Sequence, residues 1–315
     1  MNAIPPIHSM WPSSATVGFP RWSLFKRPIL SRWIRSSIAA AMALNGLPVA
    51  AEPAVRPADV DITAPAITPA EVIPLFNGTT VNDLRHFYTW LGPLGYSDPH
   101  GVFSVAADVD GAPAIRVSGQ DWGGIVTRKN YRDYRLVLEY RWSEKTWSER
   151  ARNSGILFHC QGEDGNHSGS FRQAWISSVE YEIQEGRTGT VILVPGFNRD
   201  ATRIAPSIVM RTKGHRIWDP DGEPQTFGGG SFLFQSTYDR GWKNQRGFRG
   251  GNDPDKPIGE WNHVELIAKG GDITYFLNDQ KFLEATDGSY TEGRIMFQSE
   301  GAEIFFRLIE LHPLK

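Results

Sequence analysis

Residues 135–142 read RLVLEYRW, and this stretch decides the fold. Leu136, Leu138, Tyr140 and Trp142 alternate with Val137, Glu139 and Arg141, the period-two pattern of a strand with one apolar face. The same test on residues 155–160 (GILFHC) places Ile156, Phe158 and Cys160 inward and leaves Leu157 and His159 outward. On residues 179–184 (VEYEIQ) it places Val179, Tyr181 and Ile183 inward, with Glu180, Glu182 and Gln184 outward. Further strands read at 263–268, 272–277, 293–298 and 303–311, and Asn278-Asp279 is a hairpin turn because Asn tolerates the left-handed conformation. No long segment carries helical periodicity, so the expected class is an all-β, antiparallel two-sheet β-sandwich.

Composition agrees with a medium globular domain: 315 residues, 40% apolar, and a formal charge of −2 that gives no electrostatic footprint for nucleic acid. Eleven Trp, nine Tyr and seventeen Phe suit a sandwich core or a sugar site. Upstream, Arg21, Lys26, Arg27, Arg32 and Arg35 precede an uncharged stretch that ends in Val49-Ala50-Ala51. That order is a secretory leader over residues 1–51, too short and Ala-rich in its apolar run for a stable membrane span, so the chain is expected to be exported, periplasmic or secreted. Residues 52–70 are Pro/Ala-rich and read as an extended linker, which leaves 71–315 as the folded domain. With Cys160 alone, no intramolecular disulfide forms; its side chain reads as a small buried hydrophobe. The Gly-, Pro- and Asp-rich segment 195–257 is a long irregular insertion, of a kind that serves function about as often as it covers an edge.

If the strands at 135–142, 155–160 and 179–184 are neighbours, Glu139, Arg141, His159, Glu180, Glu182 and Gln184 converge on one outer face. Outward polar residues on a sheet are more often solvated than functional. Glu180 and Glu182, however, stand about 7 Å apart along one strand, and like charges so placed raise at least one pKa unless a cation lies between them. Such a pair supplies an acid and a base, or with His159 a tentative ligand set (Glu180, Glu182, His159) for a divalent metal ion that no specific motif identifies. Trp147, Trp175 and Trp242 fall in loops where they stack on sugar faces or simply pack.

Seven short motifs in order then resemble the 3-keto-disaccharide hydrolase domain family, over roughly residues 73–315. They are Pro74-Leu75-Phe76-Asn77-Gly78, residues 133–141 (DYRLVLEYR), Asn153-Ser154-Gly155-Ile156, residues 180–184 (EYEIQ), Gly259-Glu260-Trp261-Asn262, Gln298-Ser299-Glu300-Gly301 and Phe305-Phe306-Arg307. The resemblance implies a concanavalin-like jelly roll and cleavage of glycosides oxidised to a ketone at C3. The family's Glu-x-Gln falls on Glu180/Glu182 or on Glu182/Gln184. The chain departs from the family at His159, where members carry Arg, and at Glu300, where they carry His.

A C3 ketone acidifies the hydrogen at C2, so a positioned base can remove it, the C1 substituent leaves by elimination, and water adds back. Glu182 or His159 is the expected base, Glu180 its partner acid or ligand, and Arg141 the cation near the enolate. Gln184, Asn153, Glu139, Trp147 and Trp175 are the expected contacts to the saccharide. Two alternatives stay open. Residues 180–185 (EYEIQE) resemble the motif of retaining jelly-roll glucanases, which need carboxyls about 5–5.5 Å apart. A lectin-like binding module uses the same fold without catalysis.

Overall fold

The computed structural model describes residues 55–168 and 173–315. The leader at 1–51 and the first three residues of the Pro/Ala-rich segment lie outside the described residues. Two antiparallel sheets account for most of the strands, as the alternating pattern requires. The eight-stranded sheet runs in space Gln280–Ala285, Asp272–Leu277, Asn262–Lys269, Tyr134–Thr146, Ala302–Pro313, Ala112–Val117, Phe103–Val109, and Ile73–Phe76 also pairs with Ala302–Pro313. The seven-stranded sheet runs Phe232–Leu233, Val191–Val194, Ser177–Gln184, Asn153–Gln161, Arg294–Ser299, Gly123–Thr127, Phe87–Leu91. A 3-10 turn at Gly92–Leu94 is the only helical element among the described residues, and none of their helices is long and apolar enough to cross a membrane.

The inner faces of the two sheets meet in one apolar core. Leu136, Leu138, Tyr140 and Trp142 enter it from one sheet, and Ile156, Phe158, Val179, Tyr181 and Ile183 from the other, as alternation predicts. Each fully buried side chain of this kind contributes roughly 1.5–3 kcal/mol relative to exposure. Asn278 and Asp279 both take positive φ (50° and 66°) and close the hairpin between Asp272–Leu277 and Gln280–Ala285.

Sheet membership corrects one expectation. The strand Tyr134–Thr146 lies in the eight-stranded sheet, whereas Asn153–Gln161 and Ser177–Gln184 are neighbours in the seven-stranded one. Alternation assigns faces but says nothing about which strands pair, so Glu139 and Arg141 cannot share an outer face with Glu180 and Glu182.

The outer face of the seven-stranded sheet is not bare. Tyr88, Val126, Leu157, Cys160, Val194 and Met296 form a second apolar cluster there with Val60, Ala174, Trp175 and Ile176. Residues 55–70, read above as a linker, are therefore held along the domain. Asn130 Nδ2 donates to the carbonyls of Ile62 (3.2 Å) and Ala64 (2.7 Å), Ile67 bridges Tyr131, and Arg56 Nε donates to Asp164 Oδ2 at 2.9 Å. Spaced prolines leave the backbone extended, and an extended chain can lie along a sheet as readily as it can span solvent.

Candidate active site

Beyond the apolar half of that outer face lies a polar half, laid out by the strand register. Across Ser177–Gln184 and Asn153–Gln161, Glu180 stands opposite Leu157, Glu182 opposite Gly155, and Gln184 opposite Asn153. Asn153 in turn bridges Glu300, and Gln298 stands opposite Gly124. Side chains two apart on a strand share a face, so Glu180, Glu182, Gln184, Asn153, Gln298 and Glu300 form one patch three strands wide. Its floor is glycine. A Cβ on Gly155 would stand 2.5 Å from Glu180 Oε1 and 2.7 Å from Gln298 Oε1, so those side chains converge only because that position has none.

Burial sets the protonation of the three carboxyls. Glu180 is pushed well above the usual carboxylate range, first by burial and then by the charges of Glu182 and Glu300. Glu300, partly shielded from solvent, is pushed up to about 8 by burial and by Glu182, against a hydrogen bond from Asn153. Glu182 is raised by burial too, but the Arg187 guanidinium opposes it, with Nη2 donating to Oε1 at 2.7 Å. Among the described residues, Glu182 alone of the three has an arginine in direct contact.

Five buried polar atoms at this patch have no partner among the described residues: Asn153 Oδ1, Glu182 Oε2, Gln184 Oε1, Gln298 Oε1 and Arg187 Nε. Each costs about 1–3 kcal/mol if left unpaired, and folded proteins rarely collect several in one place without a ligand to use them. Aromatic side chains rim the patch. The Arg187 guanidinium lies 4.2 Å from the Trp242 ring centroid and 5.7 Å from that of Phe232. Trp242 is fixed by Nε1 donating to the Glu185 carbonyl at 3.0 Å, which puts part of the irregular 195–257 insertion at the site. Trp147, 46% exposed, donates its backbone N–H to the carbonyl of Gly301 beside Glu300. Trp175 is buried and stacks on Trp122 with centroids 6.2 Å apart.

The expected site is thus assembled in part. Glu180, Glu182, Gln184 and Asn153 come together; His159, Arg141 and Glu139 do not. His159 sits in a bulge where the register shifts between Phe158 and Gln161, with φ of 53°. The extra residue turns its ring inward, edge-on to Tyr134 (5.8 Å) and Phe158 (5.1 Å), with Nδ1 bonded to the Tyr290 carbonyl at 3.0 Å. Burial depresses its pKa to about 4. Cys160 takes the outer position instead, still buried, with its thiol pushed up to about 12 by burial. His159 is therefore neither base nor metal ligand beside Glu180 and Glu182.

Arg141 pairs with Asp110, and Glu139 accepts from Arg307 Nε at 2.5 Å, on the outer face of the other sheet. Glu185 is no partner for Glu180 either. It is locked to Arg152 Nη1 at 3.0 Å, and no register shift falls between residues 179 and 184 to swing the two carboxyls together. This removes the geometry a retaining glucanase needs. Among the described residues a trio of metal-ligating type within 4.8 Å occurs at His263, Glu265 and Asp279, not at Glu180, Glu182 and His159.

Arg187 and the siting of Glu300 and Gln298 were not legible as site features. The one local sign of Arg187 is its flanking glycines: Gly186 and Gly189 hold φ of 82° and 91° in the turn that carries it.

Over residues 71–312 the chain matches the model of the 3-keto-alpha-glucoside-1,2-lyase-like domain. Among solved structures it is similar to a Parabacteroides distasonis protein described provisionally as a glycosyl hydrolase, at 18% identity over 78% of this chain and 100% of that one, with a TM-score of 0.42. It is similar also to a carbohydrate-binding module from Bacillus subtilis, at 11% identity over 75% of this chain and 96% of the other, TM-score 0.37. A third is a glycoside hydrolase family 16 endo-glucanase from Bacteroides ovatus, at 9% identity over 76% and 98%, TM-score 0.39. No curated protein matches the chain.

Proposed function

Because the chain belongs to the 3-keto-alpha-glucoside-1,2-lyase-like domain family, we propose that it cleaves glycosides carrying a C3 ketone by elimination followed by hydration. The observation that carries this reading is the convergence, among the described residues, of five unpartnered buried polar atoms around three buried carboxyls, of which Glu182 is the one held by Arg187. Groups whose surroundings push them apart in this way divide into acid and base.

Glu182, steadied as a carboxylate by Arg187, takes the proton from C2 through its free Oε2. The electron pair of that C–H bond passes to the C2–C3 bond and the carbonyl π pair to O3, giving an enolate. The enolate then collapses: C3=O re-forms, C1=C2 forms, and the C1–O bond breaks. Glu300, protonated at neutral pH, gives its proton to the departing oxygen. Water adds at C1 and a proton returns to C2, so that the net change is hydrolysis. Gln184, Asn153 and Gln298 turn the sugar through its hydroxyls. No strong glycosidase acid is needed, because the ketone and not the leaving group is activated.

The test is turnover of a 3-keto-glucoside and of its unoxidised parent across pH, with and without chelator. Only the keto substrate is expected to be cleaved, with kcat falling above about pH 8 as Glu300 loses its proton. The acidic limb lies above the ordinary carboxylate range, because Glu182 is raised and must be ionised to act. Cleavage of the parent would sink the elimination mechanism. Chelator sensitivity would add a divalent cation to the four oxygen acceptors.

Export is part of the same proposal and rests on the basic-then-apolar order of residues 21–51. N-terminal sequencing of protein recovered from the periplasm or medium is expected to give a start near Glu52; a chain retained in the cytoplasm with Met1 intact would overturn it.

A further inference from the structure

We propose that Arg187 is the group that receives the ketone oxygen, and that the Arg187–Glu182 pair together recognises a carbonyl with an acidic hydrogen on the adjacent carbon. The inference rests on the proposed elimination and names its electrophile.

The pair is joined by a single contact, Nη2 to Oε1 at 2.7 Å. Both partners keep one buried atom unused, Nε on the arginine and Oε2 on the glutamate. A guanidinium meeting a carboxylate for stability alone commonly engages it through both arms, which satisfies both groups. Here the single contact leaves a donor on the arginine and an acceptor on the glutamate without partners among the described residues. An α-hydrogen and its carbonyl oxygen are separated by one carbon–carbon bond, and they present the complementary acceptor and donor side by side. An ordinary hydroxyl-bearing carbon offers no acidic hydrogen to Oε2, so the arrangement discriminates by chemistry as well as shape.

Arg187 is also held as a preorganised electrophile must be. Trp242 and Phe232 flank its guanidinium, and the glutamate fixes one arm. The turn beneath it admits no side chains at its glycines: a Cβ on Gly189 would fall 1.9 Å from the Phe282 ring, and one on Gly186 2.9 Å from the Phe248 carbonyl. Its charge reaches Glu180 and Glu300 as well as Glu182, lowering all three against burial. When the C2 proton has passed to Glu182, the negative charge that Arg187 balanced there has moved to O3 of the substrate, within the same pair. The cation therefore keeps an anionic partner throughout the step.

The test uses the full chain with Arg187→Met and Arg187→Lys, a 3-keto-glucoside as substrate, and exchange of the C2 hydrogen with D2O as second readout. Arg187→Met is expected to lower kcat about 100- to 1,000-fold, with KM changed only a few-fold and the C2 exchange lowered in parallel. Added guanidinium is expected to restore part of kcat, and Arg187→Lys to fall between. A residue that merely tunes Glu182 would behave differently, because removing it raises the Glu182 pKa and the lost rate returns at higher pH. Full recovery at high pH, or a kcat within tenfold of wild type, would overturn the assignment while leaving the elimination reading in place. A variant that melts early is replaced by Arg187→Lys, whose kcat must fall with its melting temperature kept. A wild type inert on the keto substrate would instead overturn the reading on which this rests.

Discussion

Replacing Glu182 by Gln is expected to lower kcat on a 3-keto-glucoside by about 10³-fold while the protein still folds. The substitution keeps the shape of a side chain that is 2% exposed and removes only its ability to take a proton. Glu182 is singled out because it is the carboxyl in contact with Arg187, and because its Oε2 is buried with no partner among the described residues. Glu180→Gln is the informative contrast. Burial and the neighbouring Glu182 and Glu300 push the Glu180 pKa well up and so favour its neutral form, which an amide resembles, and the loss in kcat is expected to be at least tenfold smaller. Steady-state kinetics on both variants, with melting curves to confirm folding, reads the difference. Equal losses would mean the two carboxyls act as one unit and that singling out Glu182 as the base is wrong.

The largest effect on stability is expected at Asp164, which is not one of the patch carboxyls. This carboxylate accepts from Arg56 Nε at 2.9 Å and from the hydroxyls of Tyr88 and Tyr96 at 2.8 Å each, and it pairs with Arg294. Burial pushes its pKa up, and the two guanidinium groups and the hydrogen bonds more than offset this, leaving it below the usual value. Asp164→Ala strands Arg294, which is 1% exposed, as an unpaired buried cation. Breaking one side of such a pair costs about 3–5 kcal/mol, a fall in melting temperature on the order of 10 °C for a domain of this size. Adding Arg294→Met is expected to recover much of the loss, since the stranded charge goes with it. Because the folded pKa of Asp164 is depressed, its contribution is present above the unfolded pKa near 4 and is lost as pH falls through the folded value. The gap in melting temperature between wild type and Asp164→Ala therefore narrows in acid. An unchanged melting temperature at neutral pH would show that the pair holds nothing.

How much of this was legible follows from what each signal encodes. The alternation at 135–142 and 179–184 assigned core and outer faces correctly, because side-chain direction along a strand is a local property. Which strands share a sheet depends on pairing between distant residues, and there the reading of Glu139 and Arg141 failed. His159 failed for a different reason. A bulge adds one residue to a strand without a mark in the sequence, and one residue is enough to exchange the faces of His159 and Cys160. The Pro/Ala-rich composition of 52–70 described a stiff, extended segment, and nothing in it told that Asn130 and Asp164 would bind it. Glu180, Glu182, Gln184 and Asn153 were found because they lie on two neighbouring strands. Arg187 lies in a turn and Glu300 at the end of a strand on the far side of Asn153, where no period reaches.

If the C2 hydrogen leaves during cleavage, turnover of a 3-keto-glucoside in D2O must record its departure. The released keto sugar is expected to carry deuterium at C2, placed there when water and its proton add back, with wild type but not Glu182→Gln putting it there. Cleavage with C2 still bearing its original hydrogen would rule out elimination, because the glycosidic bond would then break without the enolate assigned to the Glu182–Arg187 pair.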